Sequence, residues 1–430
     1  MTSTSAPQPS LPLRVALLGF GTVGSAVARI LVERPELADR LRLTHVYNRS
    51  VARKRVDWVP DSVVWTEDLE TVFAARPDVV VEVVGGLDPA GAWVRRALGQ
   101  GASVVTANKQ LMATDGPELL HLAVVNGVQL RFEPAVGGGV PLIHGIKEGL
   151  AGDRLSRVAG ILNGTSNYVL TRMAGSDESL DAVLADARRL GYAEADPSAD
   201  IDGDDAAAKV VVLAGLSFHR HLRLAEVPRR SIRPIASVDF RYARRLGCTI
   251  RQLALVETLG GEGLTAFVGP ALVPLESGFG RNDGADNFVT VGGRFLGESS
   301  FSGPGAGGSA TAVAVVSDLL SLAARPGRDV REEWQPAVLG APPPRPYYLR
   351  FVVRDRTGIL TAISGALAEQ GINLDVVLQE PGFPKDALPF VITVEPCEQG
   401  SLVAAMETIA AEDFNLAEPL ALPMILGPSA

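Results

Sequence analysis

RVALLGFGTVGSAVARIL, residues 14–31, decides the reading of the first domain. Residues 14–18 form a short, mostly apolar strand, and the glycine-rich turn GFGTVG, residues 19–24, opens a helix that runs to about Leu31. The first glycine of such a turn permits the tight bend, the second lets the backbone approach a pyrophosphate, and the third lets helix and strand pack closely. The helix N-terminus adds unpaired N–H donors and positive potential. Gly19, Gly21, Thr22, Val23 and Gly24 are therefore candidate cofactor-binding residues. Further strands at residues 79–84 and 103–106 predict a parallel α/β sheet that binds a dinucleotide. The second strand, residues 41–47, ends in Asn48, Arg49 and Ser50, where NAD would call for an acidic residue on its ribose 2′-hydroxyl. Arg49, with Arg53, Lys54 and Arg55 close behind, suits a 2′-phosphate, so NADP is expected, with NAD possible.

The 430 residues are enough for two or three domains, and 47% hydrophobic with 21% charged residues is ordinary for a folded chain. The formal net charge of −9 and pI near 5.2 argue against nucleic acid or an anionic membrane as partner. Local basic clusters then serve small anions. Cys248 and Cys397 are the two cysteines, far apart in sequence, which points to a reducing compartment and hence the cytoplasm. Residues 1–13 have neither a basic nor an apolar signal region, and no apolar run reaches membrane-spanning length, so no signal peptide or membrane segment is expected. That tail is expected to be disordered.

Strands and helices alternate to about Phe132, where EPAVGGGVPLI, residues 133–143, interrupts them with three consecutive glycines. A boundary is expected there. The nucleotide-binding domain, of Rossmann type, is read as residues 14–140, completed by 303–340: FSGPGAGG, residues 301–308, leads into an Ala/Val-rich helix expected to rejoin it. Residues 141–302 form a second α/β region, the substrate and dimerisation domain. APPPRP, residues 341–346, reads as a stiff linker before a last module, residues 347–430. A chain stopped near Gly340 is accordingly expected to keep an active core.

The second domain contains ARRLGYAEADPSADIDGDDAAAK, residues 187–209, with five aspartates, one glutamate and one lysine among small and apolar residues. Pro197 and Gly203 break helix on either side of Asp200, and residues 206–215 read as helix. Asp205 and Lys209, at i and i+4, share one face. Taken alone, that pair is an exposed ion pair worth a few tenths of a kcal/mol. The apolar residues 210–216 instead draw the helix, and its lysine, into the core. Asp200, Asp202 and Asp204 alternate as EF-hand ligands would, but glycine stands at Gly203 instead of position 205 and no glutamate closes the loop. A calcium loop is rejected.

The spacing A-x-x-x-G-Y-x-E-x-D-P-x-x-D-I-x-G-x-D-x-x-x-K resembles the signature of homoserine dehydrogenases, and the resemblance covers almost the whole chain after the tail. It implies interconversion of L-homoserine and L-aspartate 4-semialdehyde with a nicotinamide cofactor, in threonine, methionine and isoleucine biosynthesis. It places the proton donor on Lys209, substrate-binding acids on Glu194 and Asp205, a further acid on Asp200, and cofactor contacts on Gly191 and Glu194. VVTANK, residues 104–109, is similar to the family's strand end, which puts Lys109 in the active site beside the cofactor. LNGT, residues 162–165, implies a substrate-facing Thr165. The FSGPGAGG loop implies a cofactor contact at Gly303, with Ala310 standing where the family usually has proline. Glu133, Val136, Gly138 and Val140 match a monovalent-cation site, in which mainly backbone carbonyls bind sodium.

This chemistry suits the residue types. Hydride transfer to a carbonyl carbon builds negative charge on oxygen, which a nearby ammonium stabilises and protonates. In reverse the lysine acts as base, which an amine of ordinary pKa about 10.4 does poorly at neutral pH, so alcohol oxidation is expected to favour alkaline pH. Glu194 and Asp205 would hold the substrate ammonium and the lysine, and no catalytic divalent ion is expected.

The last module begins YYLRFVVRDRTGILTAISGALAEQGINLDVVLQE, residues 347–380. Its D-R-x-G-I-L turn and G-I-N-L entry resemble an ACT domain, a ferredoxin-like βαββαβ unit, although Thr357 stands where that turn often has proline. The resemblance implies an amino-acid effector, with L-threonine the natural choice, and a homodimer or homotetramer. Other readings fare worse. Neither cysteine lies in a motif that would activate a thiolate nucleophile. A hydrolase lacks a G-x-S-x-G elbow, and the five histidines are scattered. No aspartokinase-sized segment precedes the glycine turn, so one activity is expected. A non-catalytic, ACT-containing, dinucleotide-binding amino-acid sensor is the remaining alternative, but it would need no Lys109, Asp205 and Lys209 together.

Overall fold

The computed structural model describes residues 11–259, 263–325 and 333–427. Most of the expected disordered tail, residues 1–10, lies outside these, and its last residue opens the strand Leu13–Leu18. The chain divides into two compact units. The first comprises Met1–Asp153, Val211–Leu224 and Gly303–Pro336, and the second Arg154–Val210, Ala225–Ser302 and Ala337–Ala430.

The first unit is built on six parallel strands in the order Val64–Thr66, Leu41–Tyr47, Leu13–Leu18, Val79–Glu82, Ser103–Thr106, Leu130–Arg131. Numbered along the chain this is 3-2-1-4-5-6, a Rossmann arrangement whose order reverses between the first and fourth strands. The strands read as near-continuous apolar runs because both faces are covered. Helix Thr22–Glu33 contributes Val27 and Ala28 to one of these cores, and helix Gly308–Ala324 contributes Ala312, Val315, Val316 and Leu319. The Ala/Val-rich helix thus does rejoin the nucleotide-binding sheet.

This unit differs from the expected residues 14–140 plus 303–340. It extends through Asp153 and includes Val211–Leu224, while Val338–Leu339 pairs with the strand Gly263–Pro274 of the second unit. Trp334 supplies a physical reason. Its ring packs edge-on against Phe132 at 5.9 Å and lies where a Cβ at Gly215 would have to sit. Such contacts are invisible to strand-and-helix periodicity.

In the second unit the sheet order is Gly297–Pro304, Asp286–Gly293, Leu155–Ile161, Cys248–Thr258, Gly263–Pro274, Val338–Leu339. The C-terminal module has the order Leu374–Leu378, Leu388–Cys397, Arg345–Val353, Leu420–Pro423, all antiparallel, with helices Ile359–Glu369 and Gln399–Ala410 in the βαββαβ sequence. Strand Arg345–Val353 turns Tyr347, Leu349, Phe351 and Val353 toward those helices. Tyr348 on its other face joins Val391, Leu422 and Met424 in one core with Val169, Leu170, Ile250 and Leu272.

The 341–346 segment is therefore not a spacer that isolates the module. Its Arg345 already pairs with Cys397. Asp239, fully buried, accepts hydrogen bonds from Tyr348 Oη at 2.8 Å and Arg350 Nη1 at 2.6 Å. Burial drives the Asp239 carboxyl above its ordinary pKa, against the pull of Arg350. Among the described residues, no helix is long and apolar enough to cross a membrane.

Candidate active site

In the first unit the glycine turn sits at the carboxyl end of the sheet, where the order reverses. Gly19 has φ +105°, and a Cβ on Gly24 would run into the Gly19 carbonyl oxygen, so these two positions demand glycine. A Cβ on Gly21 would meet nothing within 4 Å, and no side chain caps helix Thr22–Glu33, leaving its first N–H groups for an anion. Thr22 is met closely by Gly308 of the second glycine-rich loop. Gly303, the residue expected from that loop, lies beside Val140. Arg49 is exposed just beyond strand Leu41–Tyr47, with Arg53, Lys54 and Arg55 also exposed.

Across the switch point, the wholly buried Glu82 ends its strand and accepts from Val84 N at 2.8 Å, Gly85 N at 2.9 Å and Thr106 Oγ1 at 2.6 Å. Asn108 caps helix Lys109–Val125 through Leu111 N and donates to Gly86 O at 2.6 Å. This braced loop sets the half-buried Lys109 at the first position of its helix. Glu82, Thr106 and Asn108 were not picked out from the sequence, although a carboxylate ending the apolar run VVVE is a usable signal.

The loop read as a cation site is buried from Glu133 to Gly138. Gly138, at φ +59°, presses against Gly305, and Gly139 N donates to Pro304 O at 3.0 Å. The Glu133 carboxylate is engaged by the following segment: it accepts from Ile143 N at 2.8 Å, His144 N at 2.7 Å and the His144 ring. Asp318 accepts from Glu133 N at 2.9 Å, and His144 Nε2 stands 3.8 Å from Asp318 Oδ1.

Desolvation, reinforced by Glu133, pushes the Asp318 carboxyl up to about 7, and hydrogen bonding to Glu133 raises His144 as well. An unfolded aspartate releases its proton near pH 3.9, so between about pH 4 and 7 the native state holds a proton the unfolded state has lost, and stability falls as pH rises. The raised His144 carries the same trend higher, because its contribution is present below about pH 6.5 and is lost as pH climbs through its native value. The melting temperature is therefore expected to fall from pH 5 to 8, and to fall less in Asp318→Asn. Parallel scanning-fluorimetry curves for the two proteins would refute this.

The second unit holds the signature segment. Helix Asp204–Phe218 carries Asp205 and Lys209, whose side chains meet at 2.8 Å. The pair is not the exposed bridge that spacing alone describes, since Lys209 is only 8% exposed. Its Nζ also donates to Leu162 O at 2.6 Å, just past strand Leu155–Ile161. Asn163 caps helix Gly164–Gly175 through Ser166 N and donates to Asp200 Oδ1 at 2.6 Å and Asp205 Oδ2 at 2.9 Å. One amide thus holds two carboxylates, and one carboxylate oxygen takes both amide and ammonium. The buried Gln252 accepts from Ser166 Oγ at 2.7 Å and donates to Asp200 O at 3.1 Å. Asn163 lay within the quoted LNGT but was not singled out, and nothing local marks Gln252.

Thr165 Oγ1 donates to Tyr192 O at 2.7 Å, tying down the loop after helix Leu180–Leu190. Gly191, at φ +82°, ends that helix. Glu194 is exposed on the same loop, outside the Asn163–Asp200–Asp205–Lys209 network.

Comparison with known proteins gives this geometry its family. A family model described as homoserine dehydrogenase matches residues 141–320, its NAD-binding domain matches residues 19–133, and an ACT domain matches residues 347–414. The homoserine dehydrogenase of Mycobacterium tuberculosis (strain H37Rv) is 40% identical over 390 residues, covering 87% of this chain and 88% of its own. The chain belongs to the homoserine dehydrogenase family. It is an NAD(P)-dependent oxidoreductase acting on a CH–OH group. The crystal structure of a homoserine dehydrogenase from Thiobacillus denitrificans superposes with a TM-score of 0.88 at 32% identity, covering 96% of this chain and 98% of that one. A hyperthermophilic archaeal homoserine dehydrogenase mutant, solved in complex with NADPH, matches at TM-score 0.63 and 29% identity over 72% of this chain and 97% of its own.

Proposed function

We propose that the enzyme interconverts L-aspartate 4-semialdehyde and L-homoserine, with Lys209 as the group that gives and takes the proton on the reacting oxygen. The observation that carries this reading is a nearly buried ammonium held by Asp205 and Leu162 O at a strand end. An ammonium has three N–H bonds, and two go to these oxygens. The third serves the substrate oxygen. When bound, the nicotinamide supplies the hydride in reduction and accepts it in oxidation. As the carbonyl carbon gains hydride, its oxygen takes the proton from Lys209 Nζ, and the reverse reaction returns it. Asp205 keeps the lysine aimed, Asp200 is fixed beside it by Asn163, and Glu194 with Asp205 receives the substrate's α-ammonium. Thr165 and Gly191 set the loop that carries Glu194. The decisive assay measures reduction of NADP or NAD with L-homoserine, and no turnover with either would reject the reaction.

Gly19, Gly21, Thr22, Val23 and Gly24 are assigned to the cofactor pyrophosphate, supported by the uncapped helix and the open space at Gly21. Lys109 and the 303–308 loop are assigned to the cofactor side. Arg49 is assigned to a 2′-phosphate, which favours NADP. Arg49→Asp is expected to raise KM for NADPH far more than for NADH, because a charge-assisted contact becomes repulsion. Equal effects on both cofactors would remove Arg49 from that role.

The main-chain oxygens of Glu133, Val136, Gly138 and Val140 are assigned to a monovalent cation, with sodium the expected ion. Support comes from a buried, glycine-rich loop, whose main-chain oxygens are a donor type that suits a hard cation. L-threonine acting through the ACT domain is the proposed regulator, and a homodimer or homotetramer the proposed assembly. Phe295, 79% exposed at the turn after Asp286–Gly293, is consistent with an interface. The two free cysteines, Cys248 and Cys397, accord with a cytoplasmic setting.

A further inference from the structure

We propose that Asn163 is a positioning residue for the reaction: acting through Asp205, it aims the Lys209 ammonium, so that its loss is felt in turnover. The role rests on the reading of Lys209 as proton donor. Leu162 and Asn163, the two residues after strand Leu155–Ile161, grip both members of the Asp205–Lys209 pair. The Leu162 carbonyl accepts from Lys209 Nζ at 2.6 Å, and Asn163 Nδ2 donates to Asp205 Oδ2 at 2.9 Å. The same carboxylate oxygen accepts from Lys209 Nζ at 2.8 Å. An Asp–Lys pair one helical turn apart leaves the flexible four-carbon lysine stem several ways to make its contact. Here ammonium and carboxylate are both referenced to one strand end, and a single direction remains for the ammonium.

The amide itself is fixed. Its Oδ1 accepts from Ser166 N at 2.8 Å as the cap of helix Gly164–Gly175, which directs Nδ2 at the acids. Both N–H bonds of Nδ2 are then used, one on Asp205 and one on Asp200 Oδ1 at 2.6 Å. Two carboxylates at one nitrogen repel each other, and a neutral group with two donors offsets that repulsion without cancelling the charge that holds Lys209. A cationic side chain in its place would compete with Lys209 for Asp205. The neighbouring strand Cys248–Thr258, paired with Leu155–Ile161, braces the arrangement through Gln252, which accepts from Ser166 Oγ at 2.7 Å and donates to Asp200 O at 3.1 Å. Asn163, Ser166, Gln252 and Lys209 are all buried, so bulk water competes little for these contacts.

The test is a double-mutant cycle on the full-length enzyme, with kcat for L-homoserine oxidation as the readout and a melting curve for each variant. Asn163→Ser keeps a side chain that caps a helix about as well as asparagine but cannot reach the two acids. It is expected to lower kcat at least about tenfold, since a misplacement of the order of 1 Å costs up to about a hundredfold, while KM for NADP stays as it was. KM for L-homoserine should rise too, because Asp205 also receives the substrate ammonium, and the comparison is therefore made on kcat. In a Lys209→Ala background there is no ammonium left to aim, so the same change should alter the residual kcat by less than about twofold. An equal loss in both backgrounds would show that the amide serves the fold, and would overturn the positioning role. A serine variant within about twofold of the wild-type kcat would overturn it as well, with the proton-donor reading intact if Lys209→Ala has lost its rate. Lys209→Ala that keeps more than about a tenth of the wild-type rate would overturn both. Asn163→Gly, whose cap is weaker by only a little, takes the place of the serine variant if that one does not fold. Failure of both to melt cooperatively would make Asn163 a scaffold group and overturn the role.

Discussion

Lys209→Ala is expected to lower turnover by at least about a hundredfold while NADPH still binds, the loss usual for an essential acid–base group. The residue gives its N–H bonds to Asp205 and Leu162 O in the second unit, whereas the glycine turn and Arg49 belong to the first. Losing the ammonium removes both the proton and the positive charge opposite the developing oxyanion. Asn163 still donates to Asp205 in the variant, so that carboxylate is not left without a partner. Cofactor titration by fluorescence and a melting curve establish that the variant is folded and loaded. Retention of more than about a tenth of the wild-type rate would remove Lys209 from the role of proton donor.

A chain ending at Gly340 is expected to yield no stable enzyme, contrary to what the proline-rich stretch suggests. Tyr348, Val391, Leu422 and Met424 lie in the same core as the strand and helices of the catalytic part. Each fully buried apolar side chain is worth about 1.5–3 kcal/mol, and a whole domain is stable by only about 5–15 kcal/mol. Truncation also strips Asp239 of Arg350 and Tyr348, and breaking a buried pair from one side costs about 3–5 kcal/mol. The Tyr242 hydroxyl loses Pro389 O and Glu380 N as well. Soluble yield and thermal unfolding of the fragment beside the full chain decide the matter. A cooperative melt with wild-type activity would show that the module is dispensable after all.

Sequence pattern and tertiary packing diverge here for one reason. Period-2 alternation in YYLRFVV shows that the strand has two faces, but not that Tyr348 and Arg350 meet Asp239 more than a hundred positions away. Proline content likewise describes how stiff a segment is, not what flanks it. The compact units cut across the expected boundaries for a similar reason, since Trp334 and Phe132 touch through packing that no local pattern records. The helix after FSGPGAGG was legible because its small residues permit only close packing, and Gly308 against Thr22 is that packing observed.

Local chemistry was legible wherever the chain's own geometry dictates it. A glycine where φ is positive or a Cβ cannot fit, a helix beginning after a strand, and an Asp–Lys pair one helical turn apart all follow from backbone sterics and the 3.6-residue period, which every copy of the sequence carries unaided. Tertiary structure alone decided how deep that pair lies, that Asn163 grips both Asp200 and Asp205, that Gln252 steadies the same turn, and that Glu133, His144 and Asp318 share one buried cluster. These groups stand 11 to 185 positions apart. Bringing them together depends on sheet register and core packing, and burial then sets the strength of each charge by removing the water that would screen it.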